Sequence, residues 1–208
     1  MIVVGLDLAG VETRETGFCI LKDMKVKTSI LYSDKEIIRE VEEAKPEIVA
    51  IDAPLSLPPG RRTIEERTGI HLRECDKELL RRRIKFFPIT LGPMRSLTKR
   101  GIKLKKILEK EGFQVIEVYP GGAQDVWSIP RKQQGLERLR KGLERLGVKG
   151  PRKGMSNHEL DAVSCALVGK LFLEDKYELL GKLDDGIVMP CIPLNIFKTI
   201  TIKNTKNF

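Results

Sequence analysis

The sequence contains no run of about eighteen apolar residues, and this absence excludes a helix that spans a membrane. The first ten residues also lack the basic stretch and the small-residue cleavage site of a signal peptide. We interpret this segment as a buried strand that ends near Leu8. We therefore expect a cytoplasmic protein with no membrane partner.

Cysteine and histidine are both scarce. The chain has four cysteines and two histidines, and no two cysteines form a CxxC pair. No cysteine lies near a histidine at the spacing of a zinc site, so neither a disulfide framework nor structural zinc is expected. We interpret Cys19, Cys75, Cys165 and Cys191 as structural thiols.

Charged residues, by contrast, are abundant and unevenly spread. The net charge is +9, yet residues 61–110 hold 16 basic and 6 acidic residues, and residues 131–153 hold 9 basic and 2 acidic residues. Two basic blocks suit a nucleic-acid partner, because lysine and arginine neutralise phosphates. A solvated helix face is the alternative interpretation of each block. The high Lys, Glu and Arg content also resembles that of heat-adapted proteins.

Apolar periodicity predicts an α/β fold. Three strands that can form an antiparallel meander are followed by a helix and by a fourth strand, which can lie parallel to the first. This is the order in which the ribonuclease H-like fold begins, and we expect a mixed five-stranded sheet with helices on both faces. The predicted strands are Ile2–Leu8, Gly17–Leu21, Val26–Leu31, Ile48–Ile51 and Phe113–Tyr119. A last short strand at Gly186–Pro190 is left open.

Four amphipathic or apolar helices are predicted around this sheet. Asp34 is the expected N-cap of the first helix, and Ser156 or Asn157 that of the last. Pro120-Gly121-Gly122 is interpreted as a turn that closes the fifth strand. The predicted helices are Lys35–Ala44, Thr98–Glu111, Gly135–Leu146 and His158–Leu173.

The domain prediction is one domain over residues 1–190, with a tail at 191–208. A helical insertion at about residues 56–97 follows the fourth strand, with a charged helical stretch around Glu65–Arg83. Long insertions of this kind are often functional, so we expect it to cover the carboxyl edge of the sheet.

Two aspartates stand at or near the carboxyl ends of buried strands. Asp7 belongs to the first strand and Asp52 follows the fourth. If these strands are neighbours, the carboxylates lie roughly 5 Å apart. Two carboxylates that close repel each other unless a cation lies between them, and oxygen ligands suit Mg²⁺ or Mn²⁺. The alternative is that each aspartate closes a strand-end turn.

Three further titratable residues are candidates for the same site. Glu117 interrupts the apolar run of the fifth strand, and either faces solvent at an edge or is a third acid directed at the site. His158 and Asp161 are three residues apart at the start of the last helix, so they lie on one side of it. Stabilisation by the helix dipole is the alternative explanation of Asp161.

Five blocks of sequence resemble a known family. GLDLAG at 5–10, IDAPLSLP at 51–58, RECD at 73–76, EVYPGG at 117–122 and NHELDAVSCA at 157–166 are similar to domain-of-unknown-function family 429. That family is regarded as predicted nucleases of ribonuclease H-like fold, similar in turn to the Holliday-junction resolvase RuvC. The resemblance extends over roughly residues 1–190.

The resemblance implies a nuclease that uses two Mg²⁺ or Mn²⁺ ions to hydrolyse phosphodiester bonds. Asp7 would bridge both ions, with Asp52 on one side and Asp161 on the other. His158 would be a ligand or a proton shuttle. Glu117 resembles a fifth-strand glutamate of the family and is counted among the catalytic residues.

Arginines of the insertion are the predicted contacts to phosphates. The resolvases lack this insertion. Whether the substrate is DNA or RNA, and whether the protein forms a homodimer, are left open. The predicted nucleic-acid-binding residues are Arg61, Arg62, Arg73, Arg81, Arg82 and Arg83.

Two other functions remain open at this point. One is a catalytically silent nucleic-acid-binding module that keeps the fold and the basic surface. The other is a small-molecule phosphotransferase or ATPase of the same fold superfamily. The loop at residues 9–12 disfavours the second, because it holds one glycine and an acid where such enzymes have a glycine-rich phosphate loop.

Overall fold

A computed structural model describes residues 1–182 and 185–191, and a seven-stranded sheet is its central element. The strands are β1 Ile2–Asp7, β2 Thr16–Lys22, β3 Lys25–Leu31, β4 Ile48–Asp52, β5 Val115–Val118, β6 Tyr177–Leu180 and β7 Ile187–Pro190. The α-helices are α1 Asp34–Ala44, α2 Glu74–Arg81, α3 Gly92–Lys110, α4 Pro120–Val126, α5 Leu136–Arg145 and α6 Asn157–Leu173. A short 3₁₀ helix covers Lys132–Gln134.

The strand order is β3-β2-β1-β4-β5-β7-β6. The first three strands form an antiparallel meander, and β4 pairs parallel to β1. Strand β5 is parallel to β4, and β7 is parallel to β5. This topology confirms the predicted ribonuclease H-like α/β class.

The sheet has two strands more than the predicted five. Strand β7 coincides with the short strand left open at Gly186–Pro190, and β6 at Tyr177–Leu180 was not predicted. Strand β6 has four residues, a length that gives little periodicity to detect. Its antiparallel pairing with β7 stabilises it.

Helix α6 packs closely on the sheet because two glycines remove side chains from its path. A Cβ atom at Gly17 would collide with the carbonyl oxygen of His158, and one at Gly5 would collide with that of Ala162. Only glycine therefore permits this approach, which brings the first turn of α6 over the end of β1. The apolar residues of α6 are buried in the core on this face.

Helices α1 and α3 cover the opposite face of the sheet. Ile37 and Val41 of α1 and Leu104 and Leu108 of α3 are fully buried in one cluster with residues of β1 and β4. The two layers of helices hold β1 and β4 at the centre of the molecule. The carboxyl ends of these two strands are therefore fixed in position.

The predicted N-cap of α1 is wrong by one residue. The Oγ atom of Ser33 accepts a hydrogen bond from the Glu36 amide at 3.2 Å, and the Glu36 carboxylate accepts one from the Ser33 amide at 2.9 Å. Asp34 is instead buried, and it pairs with Arg100 at 2.8 Å and Lys103 at 2.9 Å. Ser156 is the N-cap of α6, one of the two predicted alternatives.

Other element boundaries also differ from the prediction. Within the charged stretch Glu65–Arg83, only Glu74–Arg81 is helical, and Gly69 adopts a positive φ of 69° that interrupts any helix before it. The segment predicted as a turn is the start of α4, with Pro120 at its first position. Residues 192–208 of the predicted tail lie outside the described residues. No helix among the described residues is both long and apolar enough to cross a lipid bilayer.

Candidate functional site

Asp7 and Asp52 are direct neighbours across the parallel pair β1 and β4. The register places their Cα atoms opposite each other at the carboxyl ends of the two strands. Asp7 is buried, and Asp52 is partly buried. The neighbouring strands that the sequence required are thus present, and two carboxylates meet at this edge of the sheet.

Helix α6 brings His158 and Asp161 to the same edge. The Nδ1 atom of His158 lies 2.7 Å from Oδ2 of Asp7. Asp161 is only 3% exposed, and its Oδ1 accepts a hydrogen bond from Nε2 of Gln124 at 2.8 Å. The Nζ atom of Lys132 lies 2.7 Å from the other oxygen, Oδ2. Both oxygens of this carboxylate therefore have a partner in the protein.

Several carboxylates lie close together in this cluster, and their burial and mutual repulsion shift their pKa values. Burial raises the pKa of Asp52 well above its ordinary value, and the charges of Asp7 and Asp161 raise it further. Burial also raises the pKa of Asp161, which Lys132 partly offsets. Burial alone would lower the pKa of Lys132, but the carboxylates of Asp161, Asp7 and Asp52 together raise it. The hydrogen bond with Asp7 raises the pKa of His158.

The donor atoms fit a divalent cation by their chemistry. Asp7, Asp52 and Asp161 supply carboxylate oxygens, the ligands that Mg²⁺ and Mn²⁺ prefer. Within residues 1–182 and 185–191, however, no three His, Cys, Asp or Glu side chains already surround one point as metal ligands. Asp161 is directed at Gln124 and Lys132 instead. The Lys132 ammonium is a positive charge located where the carboxylates require one.

Glu117 does not belong to this cluster of carboxylates. Its Oε2 atom accepts hydrogen bonds from Nη1 of Arg73 at 2.7 Å and from the Leu55 amide at 2.7 Å, and its Oε1 accepts one from Nη2 of Arg73 at 2.8 Å. Its side chain is 6% exposed. Of the two interpretations left open, the solvent-facing one is therefore wrong. The proposed catalytic role loses support as well, because Arg73 already neutralises this carboxylate.

Two of the arginines predicted to contact phosphates are buried. Arg73 also forms a bidentate pair with Asp76, at 3.1 Å from Nε to Oδ2 and at 2.9 Å from Nη2 to Oδ1. Arg61 donates to backbone carbonyl oxygens of its own loop, including those of Ile64 at 3.0 Å and Ile70 at 2.9 Å. Neither guanidinium is presented to a ligand, so both predictions are wrong.

The remaining arginines of that prediction are exposed. Arg81 pairs with Glu78, and Arg82 pairs with Glu78 and Glu178. Arg62 and Arg83 are also exposed. These four side chains remain predicted contacts to nucleic acid.

A groove with aromatic walls adjoins the carboxylate cluster. A cavity of about 220 Å³ is lined by Asp52 and Lys132 and by the side chains of Phe86, Phe87 and Tyr119. The same three aromatic residues also line a more open cavity of about 910 Å³. Phe87 is 70% exposed, which is unusual for so large an apolar side chain. The basic residues lining the larger cavity are Arg83, Lys85 and Arg131.

Lys132 and Gln124 were missed by sequence reasoning. Gln124 lies just after Pro120-Gly121-Gly122, which was interpreted as a turn. Lys132 is one of nine basic residues in the block 131–153. No local pattern distinguishes either residue. Their partner Asp161 lies 37 residues after Gln124 in the chain.

The fold and the strand-end carboxylates together define a ribonuclease H-like α/β protein. A family model described as "Protein of unknown function (DUF429)" matches residues 5–185. The chain belongs to this family, which confirms the resemblance. No curated protein matches the sequence.

Two solved structures are similar to this chain. One is "T. thermophilus RuvC in complex with Holliday junction substrate", with a TM-score of 0.47 and 13% identity, covering 84% of this chain and 96% of that chain. The other is the Thermus thermophilus RuvC structure, with a TM-score of 0.47 and 12% identity, covering 91% of this chain and 100% of that chain.

Proposed function

We propose that this protein is a divalent-metal-dependent hydrolase of phosphodiester bonds in nucleic acid. The observation that carries the proposal is the grouping of three aspartates at one edge of the sheet: Asp7 and Asp52 are in register across β1 and β4, and the charge of Asp161 on α6 interacts with both. A cluster of buried carboxylates with raised pKa values has a cost in stability. Such a cost is typical of functional sites.

The proposed metal ligands are Asp7, Asp52 and Asp161. A bound Mg²⁺ or Mn²⁺ ion would supply Lewis acidity, which lowers the pKa of an attacking water and stabilises the leaving oxygen. The protein's own groups hold the ligands in place: His158 fixes Asp7, and Gln124 fixes Asp161. The imidazole of His158 is 32% exposed, so it can also exchange protons with solvent or with a substrate.

A nucleic-acid substrate is supported by the surroundings of the carboxylates. Asp52 lines the smaller aromatic cavity, and the larger cavity, which shares Phe86, Phe87 and Tyr119 with it, is lined by basic residues. Aromatic side chains stack on unpaired bases, and basic side chains contact the phosphates between them. This combination favours a strand with unpaired bases over an intact duplex.

The test is cleavage of labelled DNA and RNA oligonucleotides, single-stranded and branched, in the presence of Mn²⁺. Asp7→Asn should reduce the rate about 100- to 1,000-fold, since a lost metal ligand removes several kcal/mol of transition-state stabilisation. Asp23→Asn is the matched control, because Asp23 is exposed in the β2–β3 turn with a φ of 48° that asparagine also tolerates.

Full activity of Asp7→Asn would place the chemistry elsewhere. A wild-type protein that binds these oligonucleotides without cleaving any of them, at any divalent metal, would instead identify the silent binding module.

A further inference from the structure

Lys132 is held in place from both sides. It begins the 3₁₀ helix Lys132–Gln134, whose capping pair joins the Arg131 amide to Oε1 of Gln134 at 2.8 Å. The preceding residue, Arg131, pairs with Asp125 through Nε at 2.8 Å and lies 5.6 Å from the ring centroid of Tyr119. The backbone at Lys132 is thus fixed in the loop between α4 and α5, and its ammonium contacts Oδ2 of Asp161 at 2.7 Å.

The ammonium of Lys132 is bonded to a carboxylate oxygen of Asp161 that a metal ion would need as a ligand. It lies 2.7 Å from Oδ2 of Asp161, while Oδ1 of Asp161 accepts the hydrogen bond from Gln124. A metal ion would have to approach one of these oxygens to about 2.0–2.1 Å. An ammonium already at hydrogen-bonding distance obstructs that approach by its volume and repels the ion by its charge.

We propose that Lys132 takes the place of one of the two metal ions expected at this site, so that the protein holds a single divalent cation between Asp7 and Asp52. This inference rests on the proposed function and specifies its metal stoichiometry: of the three candidate ligands, Asp7 and Asp52 hold the ion, and Asp161 is paired with Lys132 instead. The ammonium at 2.7 Å from Oδ2 of Asp161 already supplies a positive charge to this group of carboxylates. A second divalent cation at Asp161 would have to displace that ammonium or lie beside a like charge.

The proposal makes Lys132 a positioning residue for Asp161 and a fixed positive charge beside the reacting phosphate. It also explains why the three carboxylates do not already converge on one point among the described residues. Asp7 and Asp52 face each other across the strands, and Asp161 is turned to the lysine.

The test is the number of Mn²⁺ ions bound per chain, measured by electron paramagnetic resonance of free Mn²⁺ and by calorimetry. The wild type should bind one ion at this site. Lys132→Met, which removes the charge and keeps most of the volume, should bind two. Lys132→Arg should bind one, because it restores the charge. Lys141→Met is the matched control, since Lys141 is exposed on α5, and it should bind one ion as well.

Each result is decisive. Two ions in the wild type, or one ion in a folded Lys132→Met protein, overturns the role of Lys132. Lys132→Gln is the second variant if Lys132→Met does not fold, as judged by its thermal unfolding. Asp7→Asn measured in parallel separates the two proposals. If Asp7→Asn binds as many ions as the wild type, or if no chain binds Mn²⁺, the metal site itself is wrong.

Discussion

Two groups of acidic side chains lie within one strand of each other and differ in how their charge is neutralised. Glu117 on β5 and Asp76 on α2 share the guanidinium of Arg73, which is 2% exposed. The ammonium of Lys132 contacts Asp161 and interacts with Asp7 and Asp52 through its charge, and of the three aspartates His158 contacts Asp7. In the first group two carboxylates meet one bidentate cation through hydrogen bonds to every carboxylate oxygen.

The difference separates a structural ion network from a candidate active site. The network of Arg73 ties the insertion to β5 and to the loop after β4, because the guanidinium also donates to Oγ of Ser56 at 3.1 Å. Burial raises the pKa of Glu117 and of Asp52 alike, but Arg73 opposes the rise at Glu117, whereas the charges of Asp7 and Asp161 add to the rise at Asp52. Acidic side chains at the same sheet edge are therefore neutralised within the protein in one group, and in the other they form the site to which we assign the proposed metal binding.

The largest expected effect is on the structural network. Arg73→Met should lower the free energy of unfolding by about 3–5 kcal/mol, because it leaves Glu117 and Asp76 as buried carboxylates without a counter-charge. Chemical denaturation at neutral pH measures this loss. Arg81→Met is the control, with an expected change below about 1 kcal/mol, since Arg81 is 68% exposed and pairs only at the surface.

A loss below about 1 kcal/mol for Arg73→Met would show that the Arg73 network is not a structural ion network. Loss of metal binding in a folded Arg73→Met protein would show that Glu117 contributes to the metal site, so the two groups would not be separate.

The central strands and long helices were predictable because their signals are local. Strands β1 and β4 are continuous apolar runs, and α6 begins at a capping serine before a long apolar stretch. Helix α4 was missed because Pro-Gly-Gly favours a turn by propensity. In the structure it is stabilised by packing of Gly122 and Ala123, both buried, against neighbouring elements.

The candidate site was predictable only where a residue's place in a strand or helix determines where its side chain lies in the fold. Asp7 and Asp52 follow from strand ends, and the pairing of His158 with Asp161 follows from helical spacing. The partners of Glu117 and Asp161 could not be predicted in this way. Arg73 lies 44 residues from Glu117, and Lys132 lies in a basic block without a distinguishing pattern. Long-range ion pairing of this kind depends on the tertiary fold.

A smaller effect of opposite sign is expected in the carboxylate cluster. Asp52→Asn should raise the free energy of unfolding of the metal-free protein by about 1–3 kcal/mol, because it removes a charge that is buried and repelled by Asp7 and Asp161. The pKa of Asp52 is raised in the folded state, so the wild type loses stability as the pH rises above the unfolded value of about 3.9. The gain should therefore grow from pH 4 upwards.

Denaturation of both proteins with a chelator between about pH 4 and pH 8 measures this gain. The same substitution should weaken Mn²⁺ binding, so stability and binding change in opposite directions. Asp23→Asn, at an exposed turn, should change neither. A destabilised Asp52→Asn protein would show that the cluster is already neutralised, like the network of Arg73.

The smallest expected effect concerns His158. Its hydrogen bond with Asp7 raises its pKa in the folded state, so the charged imidazole contributes stability that is complete below the unfolded pKa of about 6.5. That contribution is lost as the pH rises through the higher folded pKa.

In metal-free buffer, the free energy of unfolding of the wild type should exceed that of His158→Gln by about 1 kcal/mol at low pH, and the difference should shrink as the pH rises. His71→Gln is the control, because the ring of His71 is exposed and its Nδ1 lies 2.9 Å from the hydroxyl of Thr90 rather than beside a carboxylate. A difference that stays constant with pH would mean that His158 supports Asp7 by packing and a neutral hydrogen bond, so the charge on Lys132 would then be the cluster's main internal neutralising group.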